Sequence, residues 1–214
     1  PILRGRDIKR YGYDFADKWL IGTAPSQNID IEDYPAVKAY LLTYGYDRLK
    51  QTGEDGARKK TNNKWFELQD SIAYWDDFFK QKIVYPNMTK FLPFYLDNKS
   101  FITNQKCFII TGNNLGYLTA FLNSKIFKYT YYDNFPELQG GTRELSKVFF
   151  ENVYIKEVSR DIDLLFNEKI EQIQLLKRQG HKSEHIENEV HALLYEIYGL
   201  SNKDISEIEF IENQ

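Results

Sequence analysis

Beyond residue 160 the apolar residues fall into helical rows, and this is the strongest constraint the chain places on its fold. Ile162, Leu165, Phe166, Ile170, Ile173 and Leu176 recur at helical spacing up to Gly180, a residue type that ends helices by turning left-handed. Ser183 then stands where a cap belongs, ahead of Ile186, Val190, Leu193, Leu194, Ile197 and Tyr198, and Gly199 closes that row. Ser201 opens a third segment with Ile205, Ile208 and Phe210. Amphipathic rows of this kind must be buried against something. The preceding sequence offers short apolar runs ended by Gly or Pro. Trp19-Leu20-Ile21-Gly22, Lys82 to Pro86 and Lys106 to Gly112 read as strands. Asp97 to Ser100 reads as a hairpin turn between Phe94-Tyr95-Leu96 and Phe101-Ile102-Thr103. Tyr34 to Leu42 and Asn114 to Phe127 read as helices, the second capped by Asn113 or Asn114. The expected architecture is α/β in the mixed α+β sense: a domain over residues 1–160 with a mixed sheet and flanking helices, then a helical tail over 161–214.

Charge divides at the same place. Residues 1–160 carry 23 Lys and Arg against 19 Asp and Glu, a net of +4. Residues 161–214 carry 5 against 12, a net of −7. The whole-chain value of −3 would argue against a nucleic-acid binder, because phosphate neutralisation leaves a basic footprint. Divided, the chain keeps that option open for its first part alone. A single cysteine, Cys107, excludes an internal disulfide and a cysteine-based zinc site; it reads as a buried, inert thiol in a reducing, cytoplasmic compartment. No apolar stretch reaches the roughly 18 residues of a membrane span. The start at Pro1-Ile2-Leu3-Arg4 has no signal-type apolar core and is read as a piece of a longer protein.

Few residues form a catalytic pattern. His181, His185 and His191 lie close in sequence, but Gly180 and Ser183 place a helix break between the first two, so they read as surface histidines and no metal site is expected. Asp97-Asn98-Lys99, with Asp76 or Asp77 upstream, has the acid–acid–lysine order of a Mg²⁺-dependent nuclease. The same Asp-x-Lys pattern occurs at Asp7-Ile8-Lys9 with no acid upstream, so the pattern is cheap. Binding features are richer. Residues 51–64 lack apolar periodicity and read as a mobile loop; Arg58, Lys59, Lys60 and Lys64 suit phosphates, while Asn62 and Asn63 suit phosphates or base edges. Arg4, Arg6, Lys9 and Arg10 form a second basic cluster. Gln139-Gly140-Gly141 leads to Thr142 and Arg143 in a glycine-rich loop able to approach a groove. The aromatic residues read mostly as core.

Several segments in fixed order resemble a TaqI-like C-terminal specificity domain, the target recognition domain of N6-adenine DNA methyltransferases and of fused methyltransferase–endonucleases. These are Leu3 to Tyr11 with its Arg-Gly-Arg-Asp-Ile start, Trp19-Leu20-Ile21, Lys64 to Leu68, Lys82 to Pro86, Phe108 to Gly112, Tyr117 to Lys125 with Leu-Asn-Ser, and the ending Val190 to Leu200. The resemblance implies a non-catalytic module that reads duplex DNA for a type II restriction–modification enzyme. It implies an upstream methyltransferase domain as partner and S-adenosylmethionine, with Mg²⁺ if a nuclease is fused, as cofactors of the parent protein only. Family membership does not identify base-reading residues one by one. A nuclease built on Asp77, Asp97 and Lys99, or a protein-interaction module, are the alternatives.

Overall fold

The structure, a computed structural model, describes residues 1–70 and 72–212. In chain order the strands are β1 (Ile2–Leu3), β2 (Ile8–Lys9), β3 (Gly12–Tyr13), β4 (Lys82–Pro86), β5 (Met88–Thr89), β6 (Tyr95–Asp97), β7 (Ile102–Thr103), β8 (Cys107–Ile110), β9 (Glu137–Leu138) and β10 (Thr142–Glu144). The α-helices are α1 (Pro35–Leu42), α2 (Tyr46–Leu49), α3 (Leu115–Leu122), α4 (Lys125–Tyr131), α5 (Lys147–Phe150), α6 (Arg160–Arg178), α7 (Glu184–Tyr198) and α8 (Asn202–Glu212). The mixed α/β class is the one expected. Two compact units result: residues 1–19 with the described residues from 76 onward, and residues 20–75.

In the first unit β4 is the central strand of an antiparallel sheet ordered β6–β4–β8. Successive side chains of a strand point to opposite faces, and here both faces are covered. Ile83, Tyr85 and Leu96 join the cluster with Phe121, Phe166, Ile170 and Ile173 from α3 and α6. Val84, Tyr95 and Cys107 face the other way, onto Leu3 of β1 and Phe101. Lys82 and Asp97 stand opposite each other in register, both with wholly buried side chains, and their charged atoms lie 2.5 Å apart. The turn after β6 forms as expected, but it closes no hairpin. β6 pairs with β4, whereas β7 pairs in parallel with β1.

The charge boundary at residue 160 is not a boundary of packing, because α6 lies against α3 inside the same core. A Cβ on Gly116 would stand 2.6 Å from the Asn167 nitrogen, so the two helices touch backbone to backbone. The cap of α3 also comes from α6. Asn114, at φ +55°, makes no side-chain cap, and the Tyr117 amide donates instead to the Asp163 carboxylate at 2.9 Å. The run expected as one helix to Phe127 breaks at Asn123, and Ser124 caps α4 through the Phe127 amide. Gly180 and Gly199 adopt positive φ after α6 and α7, as their positions foretell.

The second unit has no strand among its described residues. Thr23 holds it together, its hydroxyl donating to the Phe66 carbonyl at 2.8 Å and its carbonyl accepting from the Leu68 amide. Trp19-Leu20-Ile21-Gly22, expected as a strand, pairs with no strand among the described residues and is irregular, with Trp19 68% exposed.

Candidate nucleic-acid interface

The segment from Arg4 to Tyr11 owes its shape to one carboxylate. Asp7, buried, accepts from the Arg4 amide at 2.9 Å and from Arg4 Nε and Nη2 at 2.9 and 2.8 Å, a two-pronged contact that curls residues 5–7 into a short 3₁₀ turn. Those bonds to Arg4 hold the Asp7 carboxyl below its usual range. Gly5 packs closely in this turn, where a Cβ would lie 3.0 Å from the Lys106 carbonyl. At the far end of the segment, Arg10 donates through Nε and Nη2 to the Asn123 carbonyl at 3.2 and 3.0 Å, and Nη1 pairs with Glu187 of α7. Burial alone would raise the Glu187 carboxyl, but Arg10, the Ser183 hydroxyl and Lys177 outweigh it and hold it at about 2. Asn123 completes the link by exchanging hydrogen bonds with the Phe94 backbone.

Between this segment and the stretch from Pro86 to Pro93 opens a cleft of about 720 Å³. Arg4, Arg6, Lys9, Arg10 and Lys106 line it, and no Asp or Glu does. Arg6 and Lys106 are exposed and form no ion pair among the described residues. Lys9 stands 3.4 Å from Asp14 with both groups in solvent, a pairing of small strength. Beside the cleft, β5, β10 and β9 form an antiparallel ribbon in that order. Its tip turns through Gly140 and Gly141, whose φ of +76° and +74° other residues adopt only under strain.

The twelve residues expected at the interface divide into three groups. Arg4, Arg6, Lys9 and Arg10 come together in the cleft. Thr142 and Arg143 sit on β10, where Arg143 braces the ribbon from within. Its guanidinium donates to the Phe135 carbonyl and to Asp133, both at 3.0 Å, and lies 4.7 Å from the centre of the Tyr132 ring. The third group belongs to the second unit. Arg58 donates to the carbonyls of Trp65 and Glu67 at 3.3 and 2.5 Å, and Asn63 to those of Leu68 and Gln69 at 2.8 and 3.1 Å. Lys64 reaches the Ile29 carbonyl at 3.2 Å. Gln51, buried, ties the base of the loop through the Lys64 and Glu67 carbonyls and the Thr61 hydroxyl. The loop expected to be mobile is thus cross-tied by its own polar side chains, which satisfy backbone groups that no strand or helix satisfies. Lys59, Lys60 and Asn62 remain exposed, Lys59 within 3.3 Å of Asp70.

Sequence reading missed Lys106, Asn87 and Phe91, because each lies apart from the runs of charge. The signal was the pairing of β4 with β8, which brings Lys106 back beside Pro86 and Asn87; the Asn87 amide donates to the Lys106 carbonyl at 3.0 Å. Reading the aromatics as core holds for Tyr85, Phe94, Phe121 and Phe127 but not for Trp19, Tyr34, Tyr40, Phe79, Tyr154 or Phe91, the last 77% exposed.

The remaining candidates are used structurally. Asp97 accepts from Lys82 Nζ and from the amides of Lys99 and Phe101, while Lys99 Nζ turns away to the Tyr13 hydroxyl. Asp77 pairs with Lys80 at 2.7 Å, and the three expected nuclease residues do not converge. His181 and His185 are exposed, but His191, expected at the surface, is buried against Tyr195 because it lies on the inner row of α7. Burial pushes the Cys107 thiol up to about 12, so it is not a nucleophile. Among the described residues no helix is long and apolar enough to cross a membrane, and no three His, Cys, Asp or Glu side chains are placed to hold a metal.

Comparison with known families agrees with the geometry. Residues 1–154 match the TaqI-like C-terminal specificity domain, and the chain belongs to that family. This is a domain of DNA sequence recognition in restriction–modification systems. No curated protein matches the chain.

Proposed function

We propose that this chain is the duplex-reading module of a cytoplasmic, bacterial-type DNA adenine-N6 methyltransferase, with or without a fused endonuclease, and that it performs no chemistry itself. The observation that carries this reading is the cleft lined by five cations and no acid. Fixed positive charge without internal neutralisation attracts phosphate, and here Arg6 and Lys106 supply it most directly. The ribbon tip at Gly140 and Gly141 has the slimness needed to enter a groove. On the second unit, Lys59, Lys60 and Asn62 offer further phosphate contacts. Methyl transfer, its S-adenosylmethionine and any Mg²⁺ would belong to a methyltransferase or nuclease domain preceding this one.

Selection from a random-sequence duplex library, followed by binding at several salt concentrations, tests the reading. A single enriched sequence is expected. The Arg6→Ala, Lys106→Ala double variant should flatten the plot of log affinity against log salt by about 2, roughly one per lost phosphate contact. Urea unfolding should stay within about 0.5 kcal/mol of the parent, as for surface changes in general. No duplex affinity at low salt would favour a protein partner instead.

A further inference from the structure

Phe91 is mostly exposed, yet hydrogen bonds tie down the backbone around it. The segment from Asn87 to Phe94 is fastened at both ends and near its middle. The Asn87 carbonyl accepts from the Leu145 amide at 2.8 Å, and the Lys90 carbonyl accepts from the Tyr132 hydroxyl at 3.2 Å. The Phe94 amide and carbonyl are both bonded to the Asn123 side chain. Between these points the Phe91 amide donates to the Thr89 hydroxyl at 3.0 Å, closing a local turn. Pro93 and Phe94 are buried, whereas Phe91 is 77% exposed and Met88 45% exposed, both on the wall of the cationic cleft.

A bare hydrocarbon ring on a hydrogen-bonded backbone, in a cleft where Arg6 and Lys106 form no ion pair among the described residues, fits few partners. A protein partner with an apolar patch would leave Arg6 and Lys106 facing that patch without anions. Duplex DNA satisfies both, with phosphates for the cations and the faces of stacked bases for the ring. We infer that Phe91, supported by Met88, is an apolar wedge that enters between adjacent base pairs when DNA occupies the cleft. This rests on the DNA-reading function proposed above. The wedge unstacks one base step and kinks the duplex there, so selectivity arises at a step that deforms easily as well as from hydrogen bonds.

The test uses the selected duplex with 2-aminopurine placed at successive positions, whose emission rises when it unstacks. The parent chain should raise emission several-fold at one step. Phe91→Ala should abolish that rise while leaving the salt slope unchanged, and Phe91→Leu should restore part of it. Phe91 is exposed, so Phe91→Ala is expected to fold, and its circular dichroism should match the parent. Salt-dependent binding with the same emission profile in Phe91→Ala overturns the wedge and leaves the DNA reading intact. Absence of salt-dependent duplex binding in the parent overturns both.

Discussion

Around residues 4–10 the cationic side chains gather on one open cleft, whereas around residues 58–64 two of the four, Arg58 and Lys64, donate to backbone carbonyls, as does Asn63 beside them. The two stretches have similar composition and differ in what surrounds them. The first runs beside a sheet whose own backbone groups are already paired, and its one buried acid, Asp7, is met by Arg4. Arg6 and Lys9 are then free to face solvent. The second belongs to a unit without strands among its described residues, where loop carbonyls need donors. Arg58, Asn63 and Lys64 supply them. A charged residue becomes available for binding only after the nearby backbone has been satisfied in some other way.

Four measurements can break or sharpen this contrast. The largest effect concerns Arg10, the cleft cation paired with a carboxylate of the helical tail. The Glu187 carboxyl is lowered in the folded state, so its stabilising contribution is present above its unfolded pKa of about 4.3 and disappears as the pH falls toward 2. Urea unfolding should lose up to roughly 3 kcal/mol across that window, and Glu187→Gln should remove most of the dependence. An unchanged acid limb in Glu187→Gln would show that α7 does not lean on Arg10. Next, Arg58→Ala should lower unfolding stability by about 1–3 kcal/mol, because the Trp65 carbonyl loses its donor and the Glu67 carbonyl keeps only that of Gln51. Its salt slope for duplex binding should not move. The opposite outcome, a flatter slope at unchanged stability, would place Arg58 with the cleft residues and erase the distinction. Asn63→Ala should cost about 1 kcal/mol and leave base preference intact. The smallest effect belongs to Lys60→Ala, within about 0.5 kcal/mol in stability and at most about one unit of salt slope. A slope change larger than that of the Arg6→Ala, Lys106→Ala pair would make the second unit the main phosphate surface.

The helical tail was legible because its rows of apolar residues and its glycine stops are local signals. Strands β4 and β8 were legible for the same reason. What local signals do not carry is which strands meet. The turn at Asp97 to Ser100 looked like a hairpin, yet its carboxylate is drawn into the sheet by Lys82, fifteen residues away. The gathering of cations at residues 4–10, now seen to line the cleft, was legible from their charge alone. Lys106 and Phe91 were not, because they join it only through the β4–β8 pairing and the clamp of Asn123 on Phe94. Arg143 misled in the other direction. Its glycine-rich neighbours do form a projecting tip, but its own side chain points back to Phe135 and Asp133.

The contact between Arg10 and Glu187 gives the acidic tail a direct electrical part in the cleft. An incoming anion meets bare charge at Arg6 and Lys106, but at Arg10 it must compete with a carboxylate that the fold already holds in place. Engagement there amounts to exchanging one anion for another, with few salt ions released. On the proposed function the five cations would respond unequally to ionic strength: Arg4 and Arg10, each held by a carboxylate, would change little with salt, and Arg6 and Lys106 would carry most of the dependence.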